Sequence, residues 1–122
     1  MSKKILIIDD EGPDRKGMAV ALGKAGYNEI FVADTGDAGI DMAKSFEPDI
    51  IFIDVVLREM NGFDICEKIK AIEGFNPKII MITGHLDAIN AQKARTSQAD
   101  EIIEKTAGFM DIHKTIEDLG KT

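Results

Sequence analysis

Five short apolar runs constrain the fold of this chain more than any other feature of its sequence. They occupy residues 5–8, 30–33, 50–53, 79–82 and 102–103. Each run is continuous rather than alternating and is rich in β-branched residues, which is typical of strands that are buried on both faces of a sheet. The sequence therefore predicts five strands in one parallel sheet.

A helical pattern, in which apolar residues recur at spacings of three and four, follows each run. Pro13 and Asn61 stand where helices favour a first-turn proline and a cap, and Gly26 and Pro48 stand where helices end. Five strand–helix units predict an α/β fold with helices on both faces of the sheet. The predicted helices carry Met18, Leu22 and Ala25; Ala38, Met42 and Phe46; Ile65, Ile69 and Ile72; a shorter, polar segment over residues 86–96; and Phe109, Ile112, Ile116 and Leu119.

Size and charge limit the classes of function open to the chain. Its 122 residues suit one domain, residues 1–122, and its net charge of −7 argues against nonspecific binding to nucleic acid or an anionic membrane. No apolar run approaches the roughly 18 residues of a membrane span, and the apolar stretch before Asp9 is too short for a signal peptide. We therefore expect a cytoplasmic protein. Its one cysteine, Cys66, is predicted to be a buried, unreactive thiol.

Polar side chains follow four of the five predicted strands. Asp9 and Asp10 follow the first strand, Asp54 the third, Thr83 the fourth and Lys105 the fifth. In an open parallel sheet the carboxyl ends of the strands share one edge, and ligands bind beyond it. We therefore expect three carboxylates, a hydroxyl and an ammonium group to meet there.

Each of these residues has an ordinary structural interpretation, because an aspartate after a strand often forms a turn and a lone lysine is usually solvated. Together they are harder to explain in that way, since neighbouring carboxylates repel one another unless a cation lies among them. Oxygen ligands from few residues suit Mg²⁺ or Mn²⁺. We expect Lys105 to lie over the cleft outside the core, so that removing its side chain changes the fold little.

A carboxylate beside a hydrated metal ion can attack phosphorus and form an acyl phosphate. Transfer of a phosphoryl group requires mainly that its three outer oxygens be held and their charge neutralised. The metal, held by Asp9 and Asp10, would take one oxygen, Lys105 another, and the hydroxyl of Thr83 the third. The hypothesis from the residues alone is therefore an aspartyl phosphate on Asp54.

The ordered set of motifs resembles the receiver domain of bacterial two-component response regulators, the chemotaxis-receiver fold. The resemblance extends from Lys4 to about Leu119. It rests on residues 5–11 (ILIIDDE), 48–54 (PDIIFID), 60–62 (MNG), 82–85 (ITGH), 99–100 (AD) and Lys105. It implies a flavodoxin-like, three-layer fold of five strand–helix units with the strand order 2-1-3-4-5.

The resemblance also implies roles for the site residues. Asp54 would be the phosphoacceptor, and Mg²⁺ or Mn²⁺ would be bound by Asp54, the acidic pair and the carbonyl of Val56. Thr83 and Lys105 would contact the phosphoryl group. The site residues implied are thus Asp9, Asp10, Asp54, Val56, Thr83 and Lys105. Such a domain is a phosphoacceptor that assists its own phosphorylation and dephosphorylation rather than an enzyme acting on a separate substrate.

The implied partners are a histidine kinase or phosphotransfer protein upstream and a downstream protein or a fused output domain. No direct contact with nucleic acid or membrane is expected. The chain could be a stand-alone receiver or the N-terminal domain of a longer regulator. The implied signalling face is built from the fourth helix, the fifth strand and the last helix.

Four positions depart from the receiver pattern. Arg58 and Thr106 stand where receivers usually have proline, Ile103 where most have the aromatic residue of the switch, and Gln98 where a glycine is common. A non-proline cis peptide costs roughly 3 kcal/mol, so we expect the peptide between Lys105 and Thr106 to be trans. The phosphorylation chemistry is intact by these motifs, whereas a weakened switch is predicted.

Two other classes of function stay open at this stage. A phosphorylation-independent docking module would keep the fold and lose the switch. A phosphatase of the haloacid-dehalogenase type would need a second aspartate where Val56 stands, and its cap domain would not fit in 122 residues. Flavin binding is disfavoured because no phosphate-binding loop rich in Ser, Thr and Gly follows the first strand.

Overall fold

Five parallel strands form the centre of the computed structural model, which describes residues 3–86 and 97–120. The sheet order is β2-β1-β3-β4-β5, and every neighbouring pair is parallel. Both the five predicted strands and the implied order are confirmed. The strands are β1 (Lys4–Ile8), β2 (Glu29–Ala33), β3 (Ile50–Asp54), β4 (Lys78–Thr83) and β5 (Glu101–Glu104).

Four helices flank the sheet in the described part of the chain. They are α1 (Gly12–Lys24), α2 (Gly36–Phe46), α3 (Gly62–Lys70) and α4 (Ile112–Leu119). The helix predicted over residues 86–96 lies, from residue 87 onward, outside the described residues. None of the helices in the described ranges combines the length and the apolar character needed to cross a bilayer.

Two apolar cores, one on each face of the sheet, hold the three layers together. Alternate residues of β1 enter opposite cores, with Leu6 and Ile8 on the side of α2 and α3, and Ile5 and Ile7 on the side of α1 and α4. All five residues of β3 are buried, as expected for the central strand. Cys66 is buried in the first of these cores, as predicted, and burial raises the pKa of its thiol to about 11.

Side-chain caps fix where α2 and α3 begin. The Asn61 side chain accepts a hydrogen bond of 2.8 Å from the backbone N–H of Phe63, and Thr35 accepts one of 3.1 Å from the N–H of Ala38. Such bonds satisfy N–H groups that the first helical turn leaves without partners. The cap predicted at Asn61 is therefore confirmed.

The buried face of α2 differs from the predicted one by one position. Gly36, Gly39 and Ala43 are its buried residues, whereas Phe46 is 41% exposed. A Cβ atom at Gly39 would overlap the side chain of Ile8, so the helix backbone lies directly against the sheet at this glycine. Helical periodicity read from apolar residues could not place a glycine at the centre of the buried face.

The last helix begins at Ile112, later than the predicted pattern that started at Phe109. Gly108 and Phe109 both have left-handed backbone conformations, with φ values of 66° and 53°, and this interrupts the helical path. The ring of Phe109 is nevertheless buried in the same core as Ile112. The peptide between Lys105 and Thr106 is trans.

Candidate functional site

The parallel register aligns the ends of β1, β3, β4 and β5 at one edge of the sheet. Ile8 lies opposite Ile53, Asp54 opposite Ile82, and Thr83 opposite Glu104. Residues that directly follow these positions therefore emerge side by side. Contacts among Asp9, Asp54 and Lys105 confirm that these three side chains meet at this edge, as predicted.

The ammonium group of Lys105 lies among three carboxylates. Its Nζ is 3.1 Å from Oδ2 of Asp9, 3.0 Å from Oδ2 of Asp54 and 2.7 Å from Oδ2 of Asp14. An ammonium group has three N–H donors, so these three contacts use its full capacity. The side chain is 14% exposed, and Lys105 is therefore part of a largely buried ion-pair network rather than a solvated lysine over the cleft.

Backbone amides hold the other oxygens of the two buried carboxylates. Oδ1 of Asp9 accepts a 2.9 Å bond from the N–H of Glu11, and Oδ1 of Asp54 accepts a 3.0 Å bond from the N–H of Val56. Each bond joins a carboxylate to the amide two residues later, the local turn that aspartate favours. Both carboxylates are therefore fixed in orientation from two sides.

The electrostatics of the site raise the pKa values of both Asp9 and Lys105. Burial is the main reason that the pKa of Asp9 is raised to about 6, and the charge of Asp54 raises it further against the opposing N–H of Glu11 and the ammonium of Lys105. Burial alone would lower the pKa of Lys105. The hydrogen bonds that the ammonium donates to Asp14 and Asp54, with the negative charges of Asp54 and Asp9, outweigh burial and raise the pKa of Lys105.

Three carboxylates at this edge have the geometry of a shared cation site. One oxygen from each of Asp9, Asp10 and Asp54 lies within 4.8 Å of the others. Carboxylate oxygens are the ligands that Mg²⁺ prefers, and Mg²⁺ commonly completes its shell with water. The residues present therefore fit the metal that the sequence implies.

Gly62, the first residue of α3, allows the loop after β3 to close tightly beside Asp54. A Cβ atom at Gly62 would overlap the carbonyl oxygen of Asp54, and the N–H of Gly62 donates a 2.9 Å bond to the carbonyl of Val55. Val56 pairs with Asn61 in an isolated bridge across this loop. Val56 thus lies next to Asp54, while the use of its carbonyl as a metal ligand stays a prediction.

Thr83 is buried at the end of β4, on the strand beside Asp54. Its Oγ1 accepts a 3.1 Å hydrogen bond from the N–H of His85, which leaves the hydroxyl proton for another acceptor. The backbone N–H of Lys105 donates a 2.7 Å bond to the carbonyl of Thr83. The two residues predicted to contact a phosphoryl group are therefore joined through their backbones.

Two residues of the site were not predicted from the sequence. Asp14, in the first turn of α1, makes the shortest of the three contacts of Lys105. Arg58 donates its backbone N–H to Oδ2 of Asp10 at 2.9 Å. No spacing in the sequence marked Asp14, whereas Arg58 could have been noticed because it replaces the usual proline.

Residues 5–117 match the family of the response regulator receiver domain. The chain belongs to this family. Among curated relatives of the receiver, the DNA-binding response regulator MtrA of Mycobacterium tuberculosis is 28% identical over 105 residues, which are 86% of this chain and 45% of that protein. The receiver chain thus spans less than half the length of the curated relatives it matches.

Solved receiver structures agree with the fold. The N-terminal domain of a response regulator/sensory box/GGDEF three-domain protein from Carboxydothermus hydrogenoformans is 29% identical, with a TM-score of 0.80 and coverage of 96% of this chain and 92% of that one. The response regulator TrrA from Thermotoga maritima, in complex with Mg²⁺-BeF, is 25% identical, with a TM-score of 0.84 and coverage of 96% and 98%. The fold is therefore the flavodoxin-like receiver fold.

Proposed function

We propose that this receiver domain accepts a phosphoryl group on Asp54 from a histidine kinase or a phosphotransfer protein, in a reaction that requires Mg²⁺. The observation that supports it most is the placement of Asp54 within 3.0 Å of the Lys105 ammonium and within the Asp9–Asp10–Asp54 cluster. Both a cation site and a charged donor for phosphoryl oxygens thus lie beside the proposed nucleophile.

In the proposed reaction, a carboxylate oxygen of Asp54 attacks the phosphorus atom of a phosphohistidine. The bond between phosphorus and the histidine nitrogen breaks, the nitrogen keeps the electron pair, and an aspartyl phosphate forms. Bound Mg²⁺ would supply positive charge beside the phosphoryl oxygens and orient them. Lys105 can exchange Oδ2 of Asp54 for a phosphoryl oxygen while it keeps its contact with Asp14. The hydroxyl of Thr83 can donate a hydrogen bond to another phosphoryl oxygen.

The metal would be held by Asp9, Asp10, Asp54 and the carbonyl of Val56. The structure of TrrA, a similar response regulator, is a complex with Mg²⁺-BeF, and it supports binding of the metal at this site.

We propose that the protein acts in the cytoplasm, without direct membrane contact. Because the net charge of −7 disfavours contact with nucleic acid, we propose that this domain itself binds none. It would pass its signal to a downstream protein or output domain.

Intact-mass measurement after incubation with acetyl phosphate and Mg²⁺ tests the acceptor. We expect the wild-type protein to gain one phosphoryl group, Asp54→Asn to gain none, and Asp64→Asn, which removes an exposed carboxylate on α3, to behave as wild type. Uptake by Asp54→Asn at the wild-type rate would exclude Asp54. No adduct on the wild type at saturating donor would favour a docking module, and rapid turnover of small phosphate esters would favour a hydrolase.

We further propose that the signal leaves through the face made by β5, α4 and the predicted helix over residues 86–96. Lys105 directly follows β5, so its movement toward a phosphoryl group acts on that strand. Ile103 of β5 has no ring to turn inward, and we expect smaller changes than in a receiver with an aromatic switch. NMR chemical shifts of the backbone amides, measured with and without beryllofluoride and Mg²⁺, test this proposal. Large changes centred on Ile103 would contradict a weakened switch. Changes confined to other helices would exclude this face as the signalling surface.

A further inference from the structure

The carboxylate of Asp10 is held in a different way from the two carboxylates beside it. Asp9 and Asp54 each accept one hydrogen bond from a backbone N–H of their own loop and one from the ammonium group of Lys105. Within the described part of the chain, the hydrogen bond and the ion pair of Asp10 both go to Arg58, 48 residues away. The orientation of Asp10 therefore depends on the loop that follows β3.

The two contacts from Arg58 differ in quality. The backbone N–H lies 2.9 Å from Oδ2 of Asp10, which is the distance of a well-formed hydrogen bond. The side-chain Nε lies 3.7 Å from the same oxygen, and the guanidinium-bearing side chain is 81% exposed, so this ion pair is weak. The backbone amide of Arg58 is therefore the group that fixes Asp10.

We propose that Arg58 is a positioning residue for the metal site and that it acts through its backbone N–H. A carboxylate has more acceptor sites than this one bond uses, so Oδ2 can keep the N–H of Arg58 while Asp10 binds a cation. Hydrogen bonds to a ligating carboxylate orient it, and losing such a partner typically lowers metal affinity by about 10- to 100-fold. This inference rests on the proposed Mg²⁺ site and adds a residue to it.

The position of the bond explains how this receiver uses a non-proline residue at Arg58. Proline has no backbone N–H and could not donate to Asp10. Arginine supplies the donor, and any other non-proline residue would do so equally. The identity of the side chain is therefore secondary, and the backbone N–H is the group that positions Asp10.

Two variants at the same position separate the amide from the side chain. Arg58→Ala keeps the N–H and removes the guanidinium, and Arg58→Pro removes both. We expect the Kd for Mg²⁺, measured by calorimetry on the whole chain, to be roughly tenfold higher for Arg58→Pro than for Arg58→Ala. Equal Kd values for the two variants would overturn the proposal, and a wild-type protein that binds no Mg²⁺ would instead contradict the proposed function.

A second measurement needs no proline in the loop. In metal-free protein the amide proton of Arg58 should resonate downfield and exchange slowly with solvent, because it is bonded to a carboxylate. Asp10→Ala should move this resonance upfield and speed its exchange, while the amide of Val56, which is bonded to Asp54, keeps its protection. An Arg58 amide that is unaffected by Asp10→Ala would also overturn the proposal.

Discussion

The ammonium group of Lys105 neutralises carboxylates that would otherwise repel one another in the metal-free protein. We expect Lys105→Met to lower the free energy of unfolding by about 2–3 kcal/mol without metal, because Asp9 and Asp54 would lose their nearest cation. Urea denaturation measures the change. Lys114→Met is the control, since it breaks an exposed pair with Asp111 and should cost less than about 1 kcal/mol. Equal costs would show that the network around Lys105 adds no stability.

Asp9 gives the metal-free protein a pH dependence opposite to that of an ordinary ion-paired aspartate. Its pKa is raised by burial from 3.8 to about 6, so between these values the folded protein holds a proton that the unfolded chain has released. The contribution of Asp9 to stability is therefore present at low pH, falls as the pH rises from about 4 to 6, and is constant above.

The variant Asp9→Asn isolates this contribution, because all other groups titrate in both proteins. Between pH 4 and pH 6 the free energy of unfolding of the wild type should fall relative to that of Asp9→Asn. Denaturation curves at several pH values provide the comparison. A constant difference across this range would mean that Asp9 keeps an ordinary pKa in the folded protein.

Helix α1 contacts the segment before α4 at one glycine and is open to solvent at another. A Cβ atom at Gly17 would lie 3.0 Å from two ring carbons of Phe109, whereas a Cβ atom at Gly23 would have no neighbour within 4 Å. Phe109 cannot shift freely, because it is buried and its backbone is left-handed. The contact between these elements is therefore sensitive to a single methyl group.

Alanine at Gly17 and alanine at Gly23 should differ in their effect on stability. Gly23→Ala should stabilise the protein by about 0.5–1 kcal/mol through helix propensity alone. Gly17→Ala gains the same propensity but crowds the Phe109 ring, so we expect it to be about 1–2 kcal/mol less stable than Gly23→Ala. Thermal or urea unfolding distinguishes them, and equal stability of the two variants would show that the ring moves aside without cost.

The elements differed in how far the sequence determined them. Continuous apolar runs identified all five strands. Almost every residue of β1, β3 and β4 is buried, whereas the edge strands β2 and β5 are only partly buried and were nevertheless found from their apolar runs. The start of α4 was missed since it depends on left-handed conformations at Gly108 and Phe109, which apolar spacing does not reveal. In the site, strand ends located Asp9, Asp54 and Lys105. The role of Asp14 depends on the path of the loop before α1 and appears only once the loops are packed.

Binding of Mg²⁺ should stabilise the whole molecule, because a ligand that binds only the folded state shifts the unfolding equilibrium. At about ten times its Kd, Mg²⁺ adds about 1.4 kcal/mol, which raises the Tm by several degrees for a domain of this size. Asp54→Asn should reduce the shift. Sodium chloride at equal ionic strength controls for general screening of the net charge of −7, and an equal shift with that salt would argue against a specific site.

The pairing of Lys105 with Asp9 joins residues 96 positions apart, and this separation has a consequence for synthesis. A ribosome releases Asp9 and Asp54 long before it releases Lys105, so a growing chain carries these two carboxylates without the cation that contacts both of them in the folded protein. Docking of the fifth strand supplies that cation and ends the repulsion. We expect a chain interrupted before residue 105 to be less stable than the full chain, because its buried carboxylates would lack this partner.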